Sequence, residues 1–261
     1  MIDVERLSFR YDDGSVALRE VEFSLPAGER AVLLGANGCG KSTLLKLMGG
    51  LAFATSGSVR FRGEELTPAK FRDRRWRRAF RSAVGLVFQH PDAMLFNPTV
   101  RDEIAYGPRR LERQDPDRIA AEWAERFGLV ERLDAPPFRL SGGEKQRLCL
   151  ACVLACEPSV LLLDEPTANL DPRATGWLVD LLLDCEGVTT LVSTQNLSLA
   201  AELGSRAVVL AEDGSLAYDG ALSDAFQDTE LLWRANLAHR HRHRHDDGTE
   251  HRHIHVHNDW G

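Results

Sequence analysis

Gly35-Ala36-Asn37-Gly38-Cys39-Gly40-Lys41-Ser42 follows the short apolar run Arg30 to Leu34 and leads into Lys41 to about Met48, which has helical spacing. A glycine-rich turn between strand and helix, closing on Gly-Lys-Ser, fits G-x-x-x-x-G-K-[ST] at every defined position and in the context that gives the pattern its meaning. Glycine lets the backbone wrap closely enough to aim several N–H groups at phosphate oxygens, and the helix N-terminus adds partial positive charge. Gly35, Asn37, Gly38 and Gly40 are expected to form the cradle and Lys41 to reach the β- and γ-phosphates. Ser42 offers a hydroxyl oxygen to Mg²⁺, and Thr43 lies one residue further along the same turn.

Downstream, Val160-Leu161-Leu162-Leu163-Asp164-Glu165 reads as a buried strand carrying two carboxylates to its C-terminal end, where open α/β sheets place their ligands. After it the pattern alternates: helix from about 172 to 184, strand 189–193, helix 197–203, then strands 207–210 and 215–218. That alternation predicts a parallel sheet flanked by helices. Strand patterns at 3–9, 19–25, 58–61 and 84–88 surround it. Residues 92–155 have no strand pattern and read as a helical insertion. Regular structure is expected to stop near residue 238, where histidine, arginine and acidic residues take over.

With 261 residues, 43% of them hydrophobic, the chain can bury one core or a core plus a subdomain. Its longest apolar runs fall short of the roughly 18 residues that span a bilayer. No basic-then-apolar leader is apparent at the start, which leads to an expected cytosolic setting. A net charge of −7 argues against general nucleic-acid binding. Cys149, Cys152 and Cys156 sit at i, i+3, i+7 and read as a buried helix stripe rather than a metal or redox cluster.

Leu140-Ser141-Gly142-Gly143-Glu144-Lys145-Gln146-Arg147, placed between the phosphate loop and Asp164-Glu165, resembles the signature sequence of ABC-type ATPases. The resemblance covers roughly residues 2–235 and implies a P-loop NTPase core of the ABC ATPase type, with an antiparallel β subdomain and a helical subdomain at about 92–155. The nucleotide is then ATP, which is hydrolysed. By the same resemblance, Asp164 organises Mg²⁺, Glu165 polarises the attacking water, and Tyr11 stacks on adenine. Gln89 touches Mg²⁺ and that water while sensing a transmembrane partner. Ala168-Asn169-Leu170-Asp171 looks like the D-loop crossing a dimer interface, and Ser141, Gly142 and Gly143 cap phosphates held by a second ATPase subunit, identical or not. One position departs from the family. Gln195 stands where a histidine contacts the γ-phosphate, and glutamine can donate a hydrogen bond but cannot carry a proton there.

The segment Phe88 to Pro108 narrows the resemblance to ATPase subunits of energy-coupling-factor importers, especially the cobalt and nickel branch. That implies an integral membrane scaffold, a substrate-capturing membrane protein, and a peripheral place on the cytoplasmic membrane face. A vitamin importer of the same architecture, or a metal-sensing or storage protein with a weakened ATPase, are the alternatives. Seven basic residues within 70–81 form either a solvated face or a contact for acidic headgroups or an acidic partner segment.

The 239–261 tail is expected to be flexible and metal-binding. Its histidines fall in two alternating blocks, His239, His241, His243, His245 and His251, His253, His255, His257. Alternation sets imidazoles about 6.5–7 Å apart on one face of an extended chain. Such ligands suit Ni²⁺, Co²⁺, Zn²⁺ or Cu²⁺ without choosing among them. Arg240, Arg242 and Arg244 should weaken the first block relative to the second.

Overall fold

The computed structural model describes residues 1–168, 170–244 and 250–256, with only the backbone considered for 239–244 and 250–256. Three strands open the chain, β1 (Ile2–Arg10), β2 (Val16–Leu25) and β3 (Arg30–Leu34), followed by helix α1 (Lys41–Met48). Next come β4 (Ser56–Phe61), β5 (Glu64–Glu65), α2 (Arg74–Ala83) and β6 (Val84–Val87). The helical insertion holds α3 (Val100–Arg110), α4 (Pro116–Arg126) and α5 (Gly142–Leu154). The core resumes with β7 (Val160–Asp164), α6 (Pro172–Asp184), β8 (Thr189–Ser193) and α7 (Leu197–Leu203). It ends with β9 (Arg206–Leu210), β10 (Leu216–Ala221), α8 (Leu222–Gln227) and α9 (Thr229–Arg234). Strands β11 (Ala238–Arg244) and β12 (Glu250–Val256) follow.

The central sheet has the order β10-β9-β3-β8-β7-β6, and only the edge strand β10 runs antiparallel. A second, antiparallel sheet of order β2-β1-β4-β5 covers one side. The two-residue period of a strand divides the core in two. Val32, Leu34, Leu161 and Leu163 join the cluster under the helical insertion and α6 and α7, whereas Ala31, Leu33, Val160 and Leu162 face β1, β2, β4 and α1. Strands buried on both faces become near-continuous apolar runs, which is why 160–163 stood out in the sequence. β7 is apolar from Val160 to Leu163 and turns polar at Asp164, on the carboxyl edge that carries the site.

Helix starts are fixed by side-chain caps: Asp73 for α2, Thr99 for α3, Asp115 for α4, Asp171 for α6 and Asn196 for α7. The basic stretch 70–81 is largely α2, an assignment its lack of an apolar majority concealed. Trp76 and Phe80 stack 5.3 Å apart on its inner side, and Phe71 meets both rings. No helix among the described residues is long and apolar enough to cross a membrane.

The tail departs from the expectation of no regular structure beyond 238. β11 and β12 pair antiparallel, from Ala238 opposite Val256 to Arg244 opposite Glu250. Alternating histidines are a period-two pattern that marks an extended chain, and the pairing of the two blocks is what the pattern did not announce. His245 and His257, like Asn169 of the expected D-loop, lie outside the described residues.

Candidate functional site

Gly35 and Gly40 show why the loop between β3 and α1 needs glycine. Their φ angles are +146° and +104°, and a Cβ on Gly40 would stand 2.5 Å from the Ala17 carbonyl oxygen. One on Gly35 would stand 2.6 Å from Cys39 Sγ and 2.7 Å from the Leu210 carbonyl. Both positions are closed to any side chain, by sterics and by backbone conformation. Lys41, almost wholly buried, donates through Nζ to the carbonyls of Gly35 (2.8 Å) and Ala36 (3.1 Å). Its ammonium is thereby folded back over the loop it serves.

Strand β7 delivers Asp164 and Glu165 beside that ammonium. Lys41 Nζ lies 3.6 Å from Glu165 Oε1. Glu165 takes a left-handed φ of +45°, which turns the chain sharply out of the strand. Burial raises its carboxyl above the ordinary glutamate value, with Lys41 opposing part of that rise. The parallel pairing of Asp164 with Ser193 on β8 brings in a residue the sequence reading passed over. Ser193 Oγ donates to Asp164 Oδ1 at 2.8 Å and accepts from the Glu165 amide at 2.9 Å. One hydroxyl ties the Asp164 carboxylate to the backbone of Glu165. Its signal in the sequence was a serine ending the apolar strand just before the switch position.

Gln195 Nε2 donates to Asn37 Oδ1 and, at 3.3 Å, to Glu165 Oε1. The departing glutamine thus ties the phosphate loop to the acid. Tyr11 and Thr43 share a hydrogen bond of 2.6 Å between their hydroxyls. Tyr11, Asn37, Gly38, Gly40, Lys41, Ser42, Thr43, Gln89 and Glu165 line one cavity of about 290 Å³, together with Ala17. Eight separate sequence expectations meet there with Glu165.

Ser141, Gly142, Gly143 and Asp171 line no part of it. Ser141 caps α5 in a reciprocal box: its hydroxyl accepts from the Glu144 amide at 3.3 Å, and the Ser141 amide donates to Glu144 Oε2 at 2.8 Å. Those hydrogen bonds, with Arg132 alongside, hold the Glu144 carboxyl down at about 2. A Cβ added at Gly142 or Gly143 would meet nothing within 4 Å, so the turn faces open space. Gln146, also unforeseen, is buried in α5 and donates to the Pro166 carbonyl at 3.0 Å, linking the signature helix to the loop after Glu165.

A larger cleft of about 770 Å³ lies between α2 and α3, lined by Arg74, Arg77, Arg78, Arg81, Tyr106, Arg109 and Arg110 among others. Part of this charge is structural: Arg81 donates to the carbonyls of Gly49 (2.7 Å) and Gly50 (3.0 Å), and Arg78 to that of Leu111. The cysteine stripe runs along α5 and past its end, with Cys156 beyond the helix. Burial pushes the thiols of Cys149 and Cys156 up to about 12 and 11, so neither supplies a thiolate near neutrality. All five cysteines are free.

Residues 18–168 match the ABC transporter family. A nickel import ATP-binding protein, NikO of Rhodobacter capsulatus, is 45% identical over 244 residues, 90% of this chain and 94% of its own length. Among solved structures, cbiO1 from Clostridium perfringens, part of the ABC transporter complex cbiONQ, superposes with a TM-score of 0.73 at 30% identity, covering 90% of this chain and 94% of that one. A dimeric ATP-binding cassette captured after hydrolysis with ADP and Pi gives 0.75 at 27% identity, covering 85% and 99%.

Proposed function

This chain belongs to the ABC transporter ATPase family, and from that premise we propose that it energises an importer for a transition-metal ion, nickel or cobalt. The observation that carries the cargo is the 45% identity, over nearly the full length of both chains, to a nickel import ATPase. Likeness to a cbiONQ subunit and the histidine-rich segment after residue 238 support the same reading.

Ser42, Gln89 and Asp164 offer oxygen donors only, the ligand chemistry Mg²⁺ takes, and the tight, positive-φ turns that Gly35 and Gly40 allow suit a backbone cradle for phosphate. When bound, Mg²⁺ supplies charge neutralisation at the phosphates. The chain does the rest. Lys41 exchanges its two carbonyl partners for phosphate oxygens, leaving Glu165 to accept a proton from water with its burial-raised affinity. Gln195 orients that carboxylate, and Tyr11 offers its ring to the base. A second subunit, identical or paired, supplies Ser141, Gly142, Gly143 and Asp171 to close the half-site. The arginine cleft between α2 and α3 is the docking place for the membrane scaffold.

Uptake measured in cells bearing the native or the Glu165→Gln chain tests the cargo. Loss of nickel or cobalt accumulation with vitamin uptake intact is the expected outcome. Loss of vitamin uptake alone would overturn it.

A further inference from the structure

We propose that β11 and β12 form a binding site for a divalent late first-row transition cation, with histidines drawn from both strands at opposed register positions. This rests on backbone pairing, and it stands whichever cargo the transporter carries.

The register sets His239 opposite His255, His241 opposite His253 and His243 opposite His251. Directly opposed residues of an antiparallel pair share a face, with Cβ atoms about 4.5–5.5 Å apart. Residues two apart on one strand also share a face, at about 6.5–7 Å. All six histidines therefore occupy one face of the ladder, in three stacked rungs. Bonded and non-bonded pairs alternate along an antiparallel ladder, so the three rungs are also of one geometric kind. Arg240, Arg242, Arg244 and Arg252 fall on the opposite face. On this register each rung draws one histidine position from each block, so the proposed site combines the two blocks, which the sequence reading ranked separately.

Imidazole suits Ni²⁺, Co²⁺, Cu²⁺ and Zn²⁺. Two neighbouring rungs bring four histidine positions together on one face, and His241/His253, the middle rung, belongs to either choice of neighbours. The pairing also carries a cost. Arg242 stands opposite Arg252, and like charges directly opposed oppose strand pairing. A two-stranded ribbon is only marginally stable in water. A cation held by both strands offsets that cost, so metal binding and strand pairing are linked. Ala238, where β11 starts, is buried in the main core cluster beside Leu237, which pins the register to the body of the protein.

The test uses the full chain titrated calorimetrically with Ni²⁺ or Zn²⁺ alone. One variant exchanges the order of the first block (His239→Arg, Arg240→His, His241→Arg, Arg242→His, His243→Arg, Arg244→His). Composition and charge are unchanged, yet its histidines move to the opposite face from those of β12. The native chain should take about one cation tightly, and the exchanged chain should bind it at least about tenfold more weakly, because the second strand's ligands no longer add to the first. A smaller loss, or no binding by the native chain, would overturn the proposal. His241→Ala, His253→Ala and their double variant give a second reading. The double should cost clearly less than the product of the single losses, as for two ligands of one cation, and multiplicative losses would mean independent blocks. ATP turnover with Mg²⁺ and no added transition metal, expected to be unchanged in every variant, reports that the body is folded.

Discussion

Around Lys41 the charged groups already hold one another. The ammonium rests on two carbonyls and beside Glu165, Ser193 ties the Asp164 carboxylate to the Glu165 backbone, and Gln195 spans from the phosphate loop to the acid. Around Ser141 the contacts turn inward, into the capping box with Glu144, while Gly142 and Gly143 offer a bare turn to solvent. One end of the molecule is organised around its charged groups before any ligand arrives, and the other is organised only to keep its own shape, as its proposed role in closing a second subunit's site requires. The consequence is that changes at the first end should act on chemistry within a half-site, whereas changes at the second should act only across two chains.

The sharpest way to break this comparison is Glu165→Gln. The amide keeps the size of the side chain and loses the base, so turnover should fall by about 10²- to 10⁴-fold while nucleotide binding persists. Burial keeps the native carboxyl protonated to a higher pH than a free glutamate, so the acid limb of the native rate profile should lie above 4.5. Steady-state turnover against pH measures both. An unaffected rate would remove Glu165 from the chemistry.

Gly143→Asp probes the opposite end. No atom lies within 4 Å of a Cβ there, and an acid in the first turn of α5 favours the helix dipole, so the monomer's melting temperature should hold. The same charge would confront phosphate bound by the partner chain, and turnover should drop by about 100-fold. If turnover survives while the fold does too, the signature turn does not close a neighbouring site.

Much of this contrast was legible in the sequence, for physical reasons that also explain what was not. The phosphate loop, Asp164-Glu165 and Gln89 are local: their chemistry lies in consecutive residues whose strand and helix context is written beside them. Ser193 and Gln146 act through tertiary pairing, one across the β7–β8 ladder and the other from α5 to Pro166, so their partners are not written beside them in the chain. The helix α2 was hidden because its arginines outnumber its apolar residues, although Trp76 and Phe80, at i and i+4, were its one periodic signal. In the tail the alternation was legible but the pairing of its two blocks was not, because register is set between strands and not within one.

Gln195→His sharpens the catalytic side of the comparison. Glutamine already reaches Glu165 at 3.3 Å, so position is not what it lacks. A histidine could add positive charge toward the γ-phosphate, and a charge-assisted hydrogen bond is roughly twice as strong as a neutral one. Turnover should rise by about tenfold at a pH where the imidazole is charged, and an equal or slower rate would show that this position does not limit hydrolysis.

The smallest effect belongs to the shape-keeping end. Glu144 has its carboxyl held at about 2 in the folded chain against an ordinary 4.5, chiefly by hydrogen bonds with Ser141. A depressed carboxylate contributes stability in full above the unfolded value and loses it as pH falls from 4.5 toward 2. Glu144→Gln keeps an acceptor oxygen for the Ser141 amide and removes only the charge, including the pairing with a largely exposed Arg132 that is worth little. The variant should therefore be less stable by about 1 kcal/mol at neutral pH. That gap should narrow as the solution is acidified from 4.5 toward 2, because Glu144 then takes up a proton in the unfolded chain while the folded one still excludes it. Denaturant midpoints for both chains across that range decide it: a gap that does not change with pH would mean that the charge on Glu144 has no part in holding the turn in shape.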